Sequence, residues 1–307
     1  MKGLLIVGLA LALSTDAWVL DPLLGLDLYM PVPEANPLTA EKVALGRRLF
    51  FDTRLSHNGT LACASCHNPT LGFADGRRRP RGIGGAEGAR HAPAILNRGY
   101  GRSFFWDGRA ASLEAQVLEP ILNPRELGLE LEELERRTGM PVADVTAALA
   151  SYVRTIRSGD SPYDRYSAGD ASALSALEKK GLSVFRGKGR CITCHVSPSL
   201  TDERFHNTGV AWRNGRFADE GRFAVTGRVE DRGAFKTPTL REIARTAPYM
   251  HDGSLATLDE VVAFYSDGGR ANPLLDQDIR RRDFSTDERR ALVAFLKTLT
   301  GQVREGR

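Results

Sequence analysis

The chain is 307 residues long, which sets a prior of about two domains. Lysine and arginine number 42 against 38 aspartates and glutamates, and this net charge of +4 is too small and too interspersed for a dedicated nucleic-acid binder. With 42% hydrophobic residues, 26% charged residues and four cysteines, a disordered chain, a multi-span membrane protein, a collagen-like fibre and a disulfide scaffold are excluded as well.

Met1-Lys2 is followed by an apolar run from Gly3 to Leu13 and then by small or polar residues through Ala17. A charged start, a short apolar stretch and a small residue at the end predict a secretory signal, residues 1–17, cut near Ala17. The rival is an uncleaved anchor, disfavoured because the run falls short of the roughly 20 residues that span a bilayer. The expected mature protein is periplasmic and has no membrane span. Residues 18–39, with Pro22, Pro31, Pro33 and Pro37, read as an extended strap.

A helix is predicted over Ala40 to Phe50, ending shortly before Cys63-Ala-Ser-Cys66-His67. The loop that follows, 72–101, is rich in glycine and carries Arg77, Arg78, Arg79 and Arg81, either as a solvated basic loop or as a patch for an acidic partner. Val145, Leu149, Tyr152, Val153 and Ile156 fall on one helical stripe that should close the first half. The polar stretch Ser158 to Ser172 reads as a linker. Gly181 to Phe185 then ends a second helix before Cys191-Ile-Thr-Cys194-His195. Glycines 209, 215, 221, 227 and 233 recur every six residues and predict a series of turns. Two closing helices carry capping boxes, Thr257 with Glu260 and Ser285 with Glu288. The last should bury Leu292, Phe295, Leu296 and Leu299 before Gly301 stops it. The expected fold is mostly α.

The two C-x-x-C-H motifs carry the chemistry. That spacing is the attachment signature of c-type haem, in which both thiols bond the porphyrin and the adjacent imidazole becomes an iron ligand. A zinc ribbon wants its knuckles about 15–20 residues apart, whereas more than a hundred residues separate these. A thioredoxin-like dithiol has no need of a histidine after the second cysteine in both copies. The reading is therefore two covalent haems c, held by Cys63, Cys66 and His67 and by Cys191, Cys194 and His195. Whether an iron is saturated separates an electron carrier from an enzyme. The candidate sixth ligands are Met30, Met140 and Met250 together with His57, His91, His206 and His251. Spacing does not choose among them.

From about residue 40 to 300 the chain resembles the bacterial dihaem cytochrome c peroxidase and MauG superfamily. The resemblance rests on RRLFFDTRLSHNGTLACASCHNP, FFWDGRAASLEAQVLEPILNPRELG, FKTPTLREIARTAPYMHDGS and TLDEVVAFY, in the family's order around both motifs. It implies two cytochrome c-like haem domains packed against each other, a peroxidatic one over 40–165 and an electron-transfer one over 166–307. Trp106 resembles the tryptophan between the two haems. Gln116 and Glu126 match a polar pair over the open face of the peroxide haem, with Glu126 the better proton shuttle, and Pro120 falls beside the same pocket. Ile83 stands where peroxidases that need reductive activation carry a haem-ligating histidine, so the peroxide haem should lack a protein sixth ligand in every oxidation state. Tyr265 occupies the axial position on the second haem, a methionine in peroxidases and a tyrosine in MauG-type enzymes, with Met250 as the competing ligand. His251 matches a histidine with a hydrogen-bonding or structural role near that haem. The family also holds a calcium ion through carbonyls matching Thr246 and Pro248. Its asparagine ligand is His91 here, a poor donor for a hard cation, and a calcium ion at Thr246 and Pro248 is left open.

The implied activity is reduction of hydrogen peroxide to water with electrons from a small c-type cytochrome or cupredoxin. A MauG-type oxidation of a residue in a partner protein is the alternative. A dihaem electron carrier is the reading of another class, and a homodimer is left open.

Overall fold

The computed structural model describes residues 18 and 20–306, so the segment read as an export signal, 1–17, lies outside the described residues. Helices carry the architecture, and the strands are two or three residues long.

Helix α1 (Ala40–Phe50) starts where the Thr39 side chain accepts the Lys42 amide. This cap satisfies an amide the helix itself leaves unbonded. Helices α2 (Leu113–Leu122), α3 (Leu131–Thr138) and α4 (Val142–Thr155) follow the first motif. The five residues of the expected stripe on α4 are all buried. They pack with Val43, Leu49 and Phe50 of α1 and with Leu113 and Ile121 of α2 in one apolar cluster. The crossing of α1 over α4 depends on one residue: a Cβ on Gly46 would lie 1.9 Å from the Ala148 carbonyl oxygen. Glycine alone lets two helix backbones come this close.

The stretch from Ser158 to Ser172 departs from its reading as a linker. It begins with the end of strand β1 (Arg157–Gly159) and continues into helix α5 (Pro162–Ser167). Ser158, Ser161 and Asp164 are buried, because their polarity is spent inside the protein. Ser158 donates to Glu242, Ser161 and Asp164 form a capping box, and Asp164 accepts two bonds from Arg241 at 2.8 and 3.1 Å. A polar stretch signals a solvated linker only when nothing nearby answers it.

The second half repeats the plan of the first. Helix α6 (Ala176–Arg186) precedes the second motif. The turn-rich segment after the motif holds strands β2 (Phe205–His206), β3 (Trp212–Arg213) and β4 (Arg216–Phe217), helix α7 (Phe223–Thr226) and strand β5 (Phe235–Lys236). All five glycines of the six-residue repeat have positive φ, the backbone of turns that only glycine adopts without cost. Helices α8 (Leu258–Ser266) and α9 (Thr286–Lys297) both carry the expected capping boxes. Leu292, Phe295, Leu296 and Leu299 are buried in a second apolar cluster with Phe185 of α6 and Val262 of α8. Here too a glycine sits at the crossing, since a Cβ on Gly181 would lie 1.9 Å from the Ala291 oxygen.

Strand β6 (Gln302–Arg304) returns to pair antiparallel with β1, and β2 pairs with β5 and β3 with β4. The proline-rich strap is tied down along its length. The Asp21 carbonyl accepts from Arg157 at 2.8 Å, the Leu24 carbonyl from the Asp160 amide at 2.7 Å, and the Asp27 carbonyl from the Tyr100 hydroxyl at 3.0 Å. The carbonyl of Gly25 accepts from Arg241. At its end, buried Asn36 donates to Glu114 of α2 at 2.7 Å and to the Ala147 carbonyl of α4 at 3.0 Å.

Candidate functional site

Each C-x-x-C-H motif opens with one turn of 3-10 helix, Cys63–Ser65 and Cys191–Thr193. The histidine amide closes back on the first cysteine carbonyl, His67 on Cys63 at 3.0 Å and His195 on Cys191 at 2.9 Å. The Nδ1–H of His67 donates to the Phe73 carbonyl at 3.1 Å, and that of His195 to the Leu200 carbonyl at 3.0 Å. Both acceptor residues have left-handed backbones, φ 56° and 55°. Such bonds fix the tautomer and leave Nε2 free to bind a metal. Burial pushes both imidazoles below their usual pKa, toward the neutral form that ligates iron. It also pushes the Cys63 and Cys66 thiols up to about 12 and Cys191 up to about 11.

Both motifs line one cavity of about 1190 Å³. A single small-molecule site usually measures about 300–1,000 Å³. Basic side chains outnumber carboxylates along its wall, and exposed Arg79 at its rim has no partner among the described residues. The volume, the paired histidines and the excess of cations fit two carboxylate-bearing haems.

On the side of the first motif, Leu113, Gln116, Val117 and Pro120 of α2 face the cavity together, at the spacing of one helical stripe. Glu126 joins them from the turn that follows α2, and its Oε1 accepts from Asn123 Nδ2 at 2.8 Å. Burial raises its carboxyl above the ordinary range, and the Asn123 bond partly opposes the shift. Ile83 is not among the residues lining the cavity. It sits in a hairpin over 80–88, where its amide donates to the Glu126 carbonyl at 2.9 Å and its side chain fills the space beside Gly128.

Trp106 lines the same cavity and is bonded to both halves of the chain. Its Nε1–H donates to the His91 carbonyl at 2.8 Å, and its own carbonyl accepts from the Lys236 amide of β5 at 2.8 Å. The His91 amide donates to the His251 carbonyl at 2.8 Å. The His251 ring stacks on Phe235 at 3.6 Å and 9°. Arg90 pairs with Asp107 at 2.6 Å and with Asp219 at 2.7 Å, joining the halves beside the tryptophan. Burial pushes the ammonium of neighbouring Lys236 down to about 7. The ion pair of Arg90 with Asp219 carried no signal in the sequence, because pairs between residues this far apart follow no spacing rule.

Tyr265 of α8 and Met250 both line the cavity. Burial pushes the Tyr265 phenol up, the Cys191 and Cys194 thiols adding to the shift. Its hydroxyl makes no hydrogen bond among the described residues. Met30, Met140 and His57 do not line the cavity, and Met30 packs on Gly99. His206 is held between Asp202 at 2.9 Å and Asp276 at 2.6 Å. The two carboxylates push it up to about 12, so it stays protonated and unfit to ligate. His91 donates its Nδ1–H to the Arg77 carbonyl at 2.9 Å. Thr246 and Pro248 line the cavity, but a buried neutral imidazole with its Nδ1 engaged does not suit calcium. The four arginines of the burst are exposed, and three of them are paired at the surface. Arg77 bonds Asp75 and the Ser65 carbonyl, Arg78 the Asp252 carbonyl, and Arg81 lies 3.6 Å from Glu87.

The model of the di-haem cytochrome c peroxidase family matches residues 40–140. The methylamine utilization protein MauG of Methylorubrum extorquens is 43% identical over 291 residues, covering 89% of this chain and 82% of that protein. Cytochrome c551 peroxidase of Nitrosomonas europaea is 36% identical over 289 residues, covering 88% and 83% respectively. A solved MauG-like protein associated with microbial copper homeostasis superposes with a TM-score of 0.82 at 36% identity, over 90% of this chain and 95% of that one.

Proposed function

The chain belongs to the di-haem cytochrome c peroxidase family, in which MauG is included, and from that premise we propose that it reduces hydrogen peroxide at the haem of its first motif. It is an oxidoreductase acting on peroxide, and the family implies two haem cofactors. Two cytochrome c-like domains, 40–165 and 166–307, each carry one haem c through Cys63, Cys66 and His67 or Cys191, Cys194 and His195. The chain is exported to the periplasm, and the strap 18–39 runs along both domains.

When bound, the haems would supply the iron that takes up peroxide and would relay the two electrons that, with two protons from solvent, reduce it to two waters. Glu126, kept out of bulk water, accepts the proton of the peroxide oxygen nearest the iron and returns it to the leaving oxygen. The Gln116 amide orients the peroxide by hydrogen bonding. Phe104, Phe105, Leu113, Val117 and Leu127 keep the surroundings apolar. Trp106 links the two sites, and a small c-type cytochrome or cupredoxin delivers electrons to the second. One observation carries this reading: Gln116, Pro120 and Glu126 line the same cavity as Cys63, Cys66 and His67. The residues do not fit calcium, and no step uses it.

A second reading, oxidation of a residue in a partner protein, is favoured by the Tyr265 hydroxyl, which meets no described partner beside the second motif. Phenolate is a hard donor that favours the higher oxidation states of iron.

The test is to mix peroxide with the fully oxidised protein and follow its absorption. Rapid reaction and return, with oxidation of added reduced cytochrome, is the outcome for a peroxidase. A long-lived, two-electron-oxidised protein points to the second reading. A reaction that waits for reduction of one haem overturns the account of Ile83. No reaction under any condition, with both irons low-spin, leaves an electron carrier.

A further inference from the structure

The hairpin over 80–88 is closed by the Gly82 amide on the Ala86 carbonyl at 2.8 Å and the Gly88 amide on the Pro80 carbonyl at 2.9 Å. Pro80, Gly82 and Gly88 line the cavity. Gly84 and Gly85 at the tip of the hairpin are exposed, with open space around them, but its first arm is packed. Its backbone lies against the 123–128 turn so closely that a Cβ on Gly82 would stand 1.9 Å from the Arg125 carbonyl oxygen and 2.7 Å from the Glu126 Cα. The next amide, that of Ile83, donates to the Glu126 carbonyl at 2.9 Å. The Ile83 Cδ1 occupies the space a Cβ on Gly128 would take, 2.5 Å from that position. Arg125 reaches back to donate to the Glu87 carbonyl at 2.7 Å. On its other side the turn is held by Asn123, whose carbonyl accepts from the Glu126 and Gly128 amides, each at 2.9 Å.

We propose that the first arm of the hairpin is a latch, in which Gly82 and Ile83 are positioning residues that hold Glu126 at the peroxide-side wall of the cavity. This rests on the proposed role of Glu126. The latch acts on the backbone of the turn and itself touches no reacting atom. The glycine at 82 is required by the contact and not by its own conformation. Its φ of −87° and ψ of −164° are extended backbone that alanine adopts freely. An alanine there therefore opposes only the approach of the two segments. Once released, the turn lets water reach the Glu126 carboxyl, and the burial that raises its pKa is relieved.

The experiment uses the oxidised protein carrying both haems, with hydrogen peroxide as probe in rapid mixing across a pH series. The variants are Gly82→Ala, Ile83→Ala and Glu126→Gln, with Arg81→Ala as the control at an exposed residue of the same hairpin. Gly82→Ala is expected to slow the reaction about tenfold to a hundredfold, the cost of a misplaced group. It should also move the acid-limb midpoint to lower pH, leave the spectrum before mixing unchanged, and add nothing in the double variant with Glu126→Gln. Arg81→Ala should behave as the parent. If Gly82→Ala keeps the parent rate and midpoint while Glu126→Gln is crippled, the latch is wrong and the role of Glu126 stands. If Glu126→Gln reacts as the parent does, the fault lies with the proposed role of Glu126. Should Gly82→Ala fail to fold, Ile83→Ala decides on the same two readouts.

Discussion

The indole Nε1–H of Trp106 donates to the backbone carbonyl of His91 at 2.8 Å. A carbonyl oxygen accepts a hydrogen bond but does not take the proton, so under the proposed function an electron that passed through Trp106 would leave the indole N–H in place. The Lys236 amide grips the same residue from the second half of the chain. Trp106→Phe keeps the apolar ring and loses both the bond and the easily oxidised indole. Donor-dependent turnover should fall at least about tenfold, or about 1.4 kcal/mol in activation free energy, while the first reaction of oxidised protein with peroxide is little changed. Rapid mixing with and without a reduced cytochrome separates the two steps.

The peroxide reaction should have an acid limb set by Glu126. The base must be ionised, so the rate is lost as pH falls through the carboxyl pKa. Burial raises that value above the usual 4.3 or so of a free glutamate. Asn123→Ala removes the bond that opposes the rise, and the midpoint should move further toward neutral pH. A midpoint that moves the other way would count against the assignment.

Attachment is tested by haem stoichiometry in denaturant. The parent should retain two haems per chain after acid extraction. Cys63→Ser with Cys66→Ser should retain only the haem of the second motif, and Cys191→Ser with Cys194→Ser only that of the first.

The axial ligand of the second haem is tested at Tyr265. Tyr265→Phe should change the spectrum of the low-spin haem and raise its reduction potential, because an anionic donor is lost. Met250→Leu should leave both unchanged. The reverse result assigns the ligand to Met250.

Two stability measurements address the frame. Asp164→Asn leaves the buried Arg241 guanidinium without its anionic partner and should cost about 3–5 kcal/mol in denaturant unfolding. Gly181→Ala drives a methyl into the Ala291 carbonyl and should cost at least about 1–3 kcal/mol through overpacking.

What could be read from the sequence was what local rules govern. The helix at 40–50, the α4 stripe, both terminal capping boxes and the glycine turns follow from periodicity, caps and φ preferences, which act within a few residues. The two C-x-x-C-H motifs are read from a spacing of five residues, which is just as local. Residues 158–164 were misread because the partners that bury Ser158 and Asp164 stand at 242 and 241, and polarity looks the same paired or solvated. The bridge from Arg90 to Asp219 spans 129 residues and was invisible for the same reason. Ile83 could be read as a residue unable to bind iron. That its amide meets the Glu126 carbonyl depends on how two turns pack, which no spacing encodes.

Phe73 and Leu200 share a backbone twist and a task, as Gly46 and Gly181 share a crossing. Such pairing gives the molecule an internal control. A substitution made at one member of a pair can be repeated at its twin in the same chain, at the same temperature and in the same tube. Under the proposed function, a chemical difference between the two irons would be sought in what the two halves do not share, Gln116 and Glu126 on one side and Tyr265 on the other.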